Sequence, residues 1–314
     1  MPAVHLAAIH WDTALRTLVE EAQGLRKDTM AVLLENHKEE CTIMRIFAHR
    51  GVSAHLPENT KAAFARAIEL GIDGIELDVH LSADRIPVVI HDDTADRTTN
   101  GTGDIGEFTA RQLGLLDAGA GESVPTLSEV LAMAAGKLRV NIELKDATSV
   151  EPVVQVVTEA TGVDWFASSA DWGALAELRR LLPDAKTYPL CVGNLDKLSA
   201  LLSGDDDADQ FAGRGIQAAI DFAVENGGEG VSIWEGGLDQ DDIARIHAAG
   251  LKVWVWTVND PERALELLDM GADAVCTDDP ELIQQILPAQ CSAEAQSAVP
   301  EFAVLESASL GAKP

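Results

Sequence analysis

The chain has 314 residues, 46% of them hydrophobic and 24% charged, which is ordinary for a globular protein and long enough for one α/β barrel or two smaller domains. Asp and Glu number 52 against 23 Lys and Arg, a formal charge of −29 that argues against binding nucleic acid or an anionic membrane surface through a basic patch. The four cysteines, Cys41, Cys191, Cys276 and Cys291, stand far apart with no CxxC pair, which argues against both a disulfide framework and a zinc cluster.

In chain order, residues 1–43 carry Leu15, Leu18, Val19 and Ala22 at roughly helical spacing and read as a helical extension of unassigned role. The segment has no basic start, and Asp12, Glu20 and Glu21 come too early for a secretory signal. No apolar run approaches the roughly eighteen residues of a membrane span, so the expectation is a soluble cytoplasmic protein with no integral membrane segment. From Met44 onward, strand-like runs at 46–48, 74–81, 87–90, 138–143, 163–167, 187–192, 230–234, 253–258 and 274–277 alternate with helical patterns. The helices are expected at 59–70, 127–135, 150–161, 172–182, 217–226, 239–249, 261–270 and 281–287, several ending on a glycine such as Gly71, Gly136, Gly250 or Gly271.

About eight such units predict a single α/β domain over 44–288, a parallel (β/α)8 TIM barrel rather than a doubly wound sheet. Residues 92–125 are too many for an ordinary βα loop and include Asn100-Gly101-Thr102-Gly103, so they read as a small insertion after the second strand region. Asp205-Asp206-Asp207 reads as a solvated loop, and the Ala/Ser/Glu-rich stretch 289–314 as a flexible tail.

A barrel of this kind places its chemistry at the C-terminal ends of the strands. There the chain carries His49-Arg50-Gly51, Glu76-Leu77-Asp78, His91-Asp92 and Glu143-Leu144-Lys145. Glu76 and Asp78 are one residue apart on a strand and so share a face, as do Glu143 and Lys145. Three carboxylates at one barrel mouth repel one another unless a cation sits among them, and a hard, oxygen-preferring ion such as Mg²⁺ or Ca²⁺ suits them. His49 and His91 then suit proton transfer, and Arg50 and Lys145 the binding of a substrate oxyanion. Pro57-Glu58-Asn59-Thr60 is read as a helix opening, Arg97 through Gly103 as loop architecture, and His55 and His80 are given no catalytic part.

These motifs, in this order, together with Val124-Pro125-Thr126-Leu127, Val255-Trp256-Thr257-Val258-Asn259 and Thr277-Asp278-Asp279-Pro280, resemble the glycerophosphodiester phosphodiesterase family over roughly 44–288. The resemblance implies a divalent cation, Mg²⁺ or Ca²⁺, held by Glu76, Asp78 and Glu143, with His49 and His91 as general acid and base. It further implies that Arg50 binds the phosphate with Lys145 beside it, and that Trp256 walls the substrate pocket. The implied reaction cleaves a small-molecule glycerophosphodiester into sn-glycerol 3-phosphate and an alcohol. Where many members carry an aromatic-rich stretch, this chain has only Ala120-Gly121-Glu122-Ser123, which leaves the headgroup open. Two alternatives remain, a lysophospholipase D-like enzyme on the same barrel and a non-catalytic barrel that serves as a binding module. The sequence assigns no oligomeric state.

Overall fold

The computed structural model describes residues 44–193, 211 and 213–287. The readings of 1–43 as a helical extension, of the loop around Asp206 and of 289–314 as a tail lie outside these residues.

Among the described residues, nine strands form one sheet: β1 (Arg45–Ala48), β2 (Gly74–Leu81), β3 (Pro87–Val89), β4 (Arg139–Leu144), β5 (Asp164–Ser169), β6 (Thr187–Cys191), β7 (Gly230–Trp234), β8 (Lys252–Trp256) and β9 (Ala274–Thr277). Every strand except β3 is paired in parallel with its neighbours, and β9 pairs back onto β1, which closes an eight-stranded barrel. The described helices are α1 (Lys61–Leu70), α2 (Ala110–Leu113), α3 (Leu127–Ala134), α4 (Val150–Glu159), α5 (Trp172–Leu181), α6 (Ile216–Asn226), α7 (Gln240–Ala248), α8 (Pro261–Met270) and α9 (Pro280–Ile286). The predicted strands and helices fall within a residue or two of these bounds, and most of the helices carry their own start or stop signals. Thr60, Thr126, Asp171, Asp239, Asp260 and Asp279 cap helix N-termini through their side chains, and Gly71 and Gly271 close helices in the left-handed region.

Strands buried on both faces separate two cores. Outward residues such as Ile75, Leu77, Ile142, Val231 and Val255 pack under the helices with Leu131, Leu178, Ile246 and Leu267. Inward residues build the barrel floor: Phe47, Phe166, Tyr188 and Trp254 come from four different strands and meet with ring centroids 4.8–5.9 Å apart. The Arg139 guanidinium lies 4.6 Å from the Phe166 centroid and bonds Glu229 at 2.9 Å. Gly74 makes room for this floor, since a Cβ there would lie 2.3 Å from the Phe47 ring and 2.6 Å from the Arg139 carbonyl oxygen. Gly74→Ala is therefore expected to destabilise the fold by about 1–3 kcal/mol in urea unfolding, with the slope unchanged.

The third strand-like run corrects the sequence reading. β3 is not a barrel strand but runs antiparallel to β2, with Val79 opposite Val89 and Leu81 opposite Pro87. β2 has eight residues against four in β1 and β9, so it overshoots the rim and turns back on itself. The insertion therefore starts before 92. It returns to the barrel where Val89 donates to the Pro125 carbonyl (2.9 Å) and Val88 bridges Thr126. Its own small core contains Val88, Ile90, Ala95, Ile105, Leu113 and Val124. Three apolar residues in a row look the same in a parallel and an antiparallel strand, so only the fold decides between them. No helix among the described residues is long and apolar enough to cross a membrane.

Candidate active site

The register of the barrel brings the predicted acidic residues together at the C-terminal mouth. Glu76 and Asp78 sit on the inward face of β2, and Asp78 is the cross-strand partner of Glu143 on β4. Glu76, Asp78 and Glu143 each offer an oxygen within 4.8 Å of the others, and Glu76 and Asp78 are almost wholly buried.

Lys145, just past β4, reaches back with its ammonium 2.7 Å from Asp78 Oδ1 and 2.5 Å from Glu143 Oε1. Asp78 Oδ2 accepts from Asn59 Nδ2 at 2.8 Å and lies 3.3 Å from Arg50 Nε. Burial opposes ionisation of Asp78, but these cations hold its carboxyl well below the usual range. Glu76 goes the other way: burial, then the charges of Asp78 and Glu143, push it well above. Its Oε2 accepts from the Arg50 backbone N–H at 3.0 Å, whereas its Oε1 is buried with no hydrogen-bond partner. An all-oxygen donor set with one uncompensated buried carboxylate oxygen fits a hard divalent cation.

Arg50 stands in the tight loop after β1, with φ at +54°, followed by Gly51 at +82°. A side chain at Gly51 would put Cβ 2.6 Å from that of Ala63 in α1, so glycine lets the loop lie against the helix. The loop aims the Arg50 N–H at Glu76 and its guanidinium at Asp78 and Glu58, the latter at 3.0 Å.

His49 bonds Asp278 Oδ1 through Nδ1 at 2.6 Å. His91 bonds Asp92 Oδ1 through Nδ1 at 2.7 Å. Because β3 runs back along β2, Ile90 donates to the Asp78 carbonyl (3.1 Å), and His91 arrives beside the carboxylates from outside the barrel. Burial, opposed by the Asp78 charge and reinforced by Lys145 and Arg50, pushes the His91 imidazole toward its neutral form. Trp256 ends β8, half-buried, and packs on Phe211 at 5.8 Å between ring centroids and against the apolar cluster of Ala170, Leu190, Val192 and Trp234.

Several residues of the site carried no signal by periodicity. In Pro57-Glu58-Asn59-Thr60 only Thr60 caps the helix, whereas buried Asn59 bonds Asp78. Glu58 joins Arg50 to Arg97, which in turn holds both oxygens of Asp92 at 2.7 Å, so Arg97 is more than loop architecture. His80 Nε2 lies 2.9 Å from the His91 carbonyl oxygen and secures that segment, while His55 pairs with Asp279 at 3.2 Å on the exposed rim. Asp278, quoted in the sequence only as part of a motif, proves to be the partner of His49.

Similarity to known proteins agrees with this constellation. YhdW of Bacillus subtilis (strain 168) is 36% identical over 252 residues, which span 76% of this chain and 96% of that protein. The glycerophosphodiester phosphodiesterase of Caldanaerobacter subterraneus subsp. tengcongensis is 33% identical over 252 residues, 76% of this chain and 95% of its own. Among solved structures, an Oleispira antarctica phosphodiesterase in complex with the product sn-glycerol-3-phosphate superposes with a TM-score of 0.67 at 29% identity, covering 78% of this chain and 96% of that one. Residues 49–282 match the sequence pattern described as the glycerophosphoryl diester phosphodiesterase family, and that stretch contains every barrel strand after β1, the acidic triad and both histidines. With sequence, fold and site in agreement, the chain belongs to the glycerophosphoryl diester phosphodiesterase family.

Proposed function

We propose that the domain over 44–288 hydrolyses small glycerophosphodiesters to sn-glycerol 3-phosphate and an alcohol, in a reaction that depends on a divalent cation. The observation that carries this reading is the convergence of Glu76, Asp78 and Glu143 beside two histidines, with the buried Glu76 Oε1 unpartnered. Glu76, Asp78 and Glu143 would hold the cation, Mg²⁺ or Ca²⁺, which when bound supplies positive charge for the phosphate oxygens.

Arg50 and Lys145 bind the phosphate, their charges kept fixed by the buried carboxylates around them. One histidine takes the proton of the glycerol 2-hydroxyl as that oxygen attacks phosphorus. The other delivers a proton to the departing alcohol oxygen as its P–O bond breaks. Water then opens the resulting cyclic phosphate with the two histidines in exchanged roles, so that no net proton is left on the protein. Trp256 walls the pocket on the side of β8.

A second reading keeps the barrel and takes a lysophospholipid, whose chain would lie against half-buried Trp256 and the buried apolar cluster of Ala170, Leu190, Val192 and Trp234 on which it packs. The test is release of glycerol 3-phosphate from glycerophosphocholine and glycerophosphoethanolamine, with EDTA and with added Mg²⁺ or Ca²⁺. Release that EDTA stops and either ion restores is the expected result. Cleavage of lysophospholipid alone would move the substrate to the lipid. A folded protein silent on every substrate would leave a binding module.

A further inference from the structure

The two histidines of the mouth each bond a carboxylate through Nδ1, but the two carboxylates are held differently. Asp92 receives both of its remaining bonds from Arg97, a fixed cation that offsets its charge. Asp278 is held by neutral donors instead: Asn259 Nδ2 at 2.6 Å on Oδ2 and Ser53 Oγ at 3.0 Å on Oδ1. Its negative charge is therefore left for His49.

The placement is dictated by the sheet. Ala48 of β1 and Thr277 of β9 are register partners, and the His49 N–H donates to the Thr277 carbonyl at 2.9 Å. His49 and Asp278 are thus the next residues on two adjacent strands, side by side at the rim. Asn259 holds the backbone as well, since its Oδ1 accepts from the Asp278 N–H at 2.9 Å and from Thr277 Oγ1 at 3.1 Å. The carboxylate is gripped from its own peptide outward, which is the pre-organisation an orienting group needs.

We propose that Asp278 is the positioning residue of His49: it fixes the Nδ1–H tautomer, leaves Nε2 as the nitrogen that exchanges the proton, and stabilises the imidazolium whenever His49 is protonated. Burial opposes ionisation of Asp278, yet the His49, Asn259 and Ser53 hydrogen bonds hold it down at about 2, so it is a carboxylate at every working pH. The other charged groups near His49 are Arg50, Glu58 and Asp279, which line the same cavity of about 430 Å³.

This inference rests on the proposed phosphodiesterase reading. The experiment compares the full chain with Asp278→Asn and His49→Gln on glycerophosphocholine with added Mg²⁺, over a range of pH. Asp278→Asn is expected to lower kcat by about 10³–10⁴-fold, by analogy with loss of the orienting carboxylate in hydrolase triads, with KM moved by less than about threefold. A merely structural residue would not lower kcat while leaving KM in place. The inference is overturned if His49→Gln is inactive while Asp278→Asn keeps kcat within threefold. Nitrogen-15 NMR of the unaltered protein tests it without a variant: neutral His49 is expected to carry its proton on Nδ1, and an Nε2–H tautomer overturns the pairing. If the unaltered protein releases no glycerol 3-phosphate, the functional reading fails, while the NMR result still decides the tautomer.

Discussion

Glu76→Gln is expected to reduce metal-stimulated hydrolysis by at least about 10³-fold, the scale of losing a group that acts only when the transition state forms, and at the same time to stabilise the metal-free protein. Both effects have one cause. Glu76 is buried against Asp78 and Glu143, its carboxyl is pushed well above the usual range, and one of its oxygens has no partner. The folded chain therefore holds the Glu76 proton more tightly than the unfolded chain does. In EDTA, stability present at acid pH is lost as pH rises from the ordinary carboxylate range through the raised folded value. Glutamine keeps the shape and removes that loss, so the variant should be more stable than wild type at pH 8 in EDTA by about 1–3 kcal/mol. Added cation works against that difference. At a hundredfold excess over its Kd it stabilises wild type by about 2.7 kcal/mol and leaves Glu76→Gln nearly unmoved. Thermal unfolding with and without cation at pH 5 and pH 8 checks each part, and equal metal-induced shifts in the two proteins would remove Glu76 from the metal set.

The second large effect separates proton transfer from metal binding. His49→Gln and His91→Gln are each expected to lower kcat by about 10²–10⁴-fold, the usual weight of a general acid or base. Neither histidine bonds the acidic triad: His49 is tied to Asp278 and His91 to Asp92. The thermal shift on adding cation should therefore survive in both variants and be absent only in Glu76→Gln. The double variant should lose little more than the worse single one, because two groups that act in the same proton exchange do not add. A single variant that retains wild-type kcat would take that histidine out of the reaction.

The contrast between the two histidines also shows how one barrel mouth is assembled from unlike parts. His49 is placed by register alone, because β1 and β9 are neighbours in the closed sheet. His91 is placed by an excursion, in which a strand longer than the barrel needs turns back on itself. The insertion is then tied to the rim through ion pairs that run from Asp92 to Arg97 to Glu58 to Arg50. A shift of the insertion would disturb His91 and Arg50 together.

What the sequence by itself determined is local or periodic. Helix bounds followed from apolar periodicity and from glycine stops such as Gly71 and Gly271, which depend only on residues within a turn or two. The alternation of β-like and helical patterns was enough for the (β/α)8 barrel, since few other folds bury so many consecutive apolar strands. One-residue spacing placed Glu76 with Asp78 on a single face, because a strand has period two. The tertiary structure alone decided which residues meet across long separations. Asp278 reaches His49 over 229 positions, and Asn59 reaches Asp78 over 19. Neither pairing follows a period of the chain, because closure of a barrel brings first and last strands together whatever their own sequences say. The direction of β3 was likewise beyond local reading, for an extended run of three apolar residues has no polarity until its partner strand supplies one.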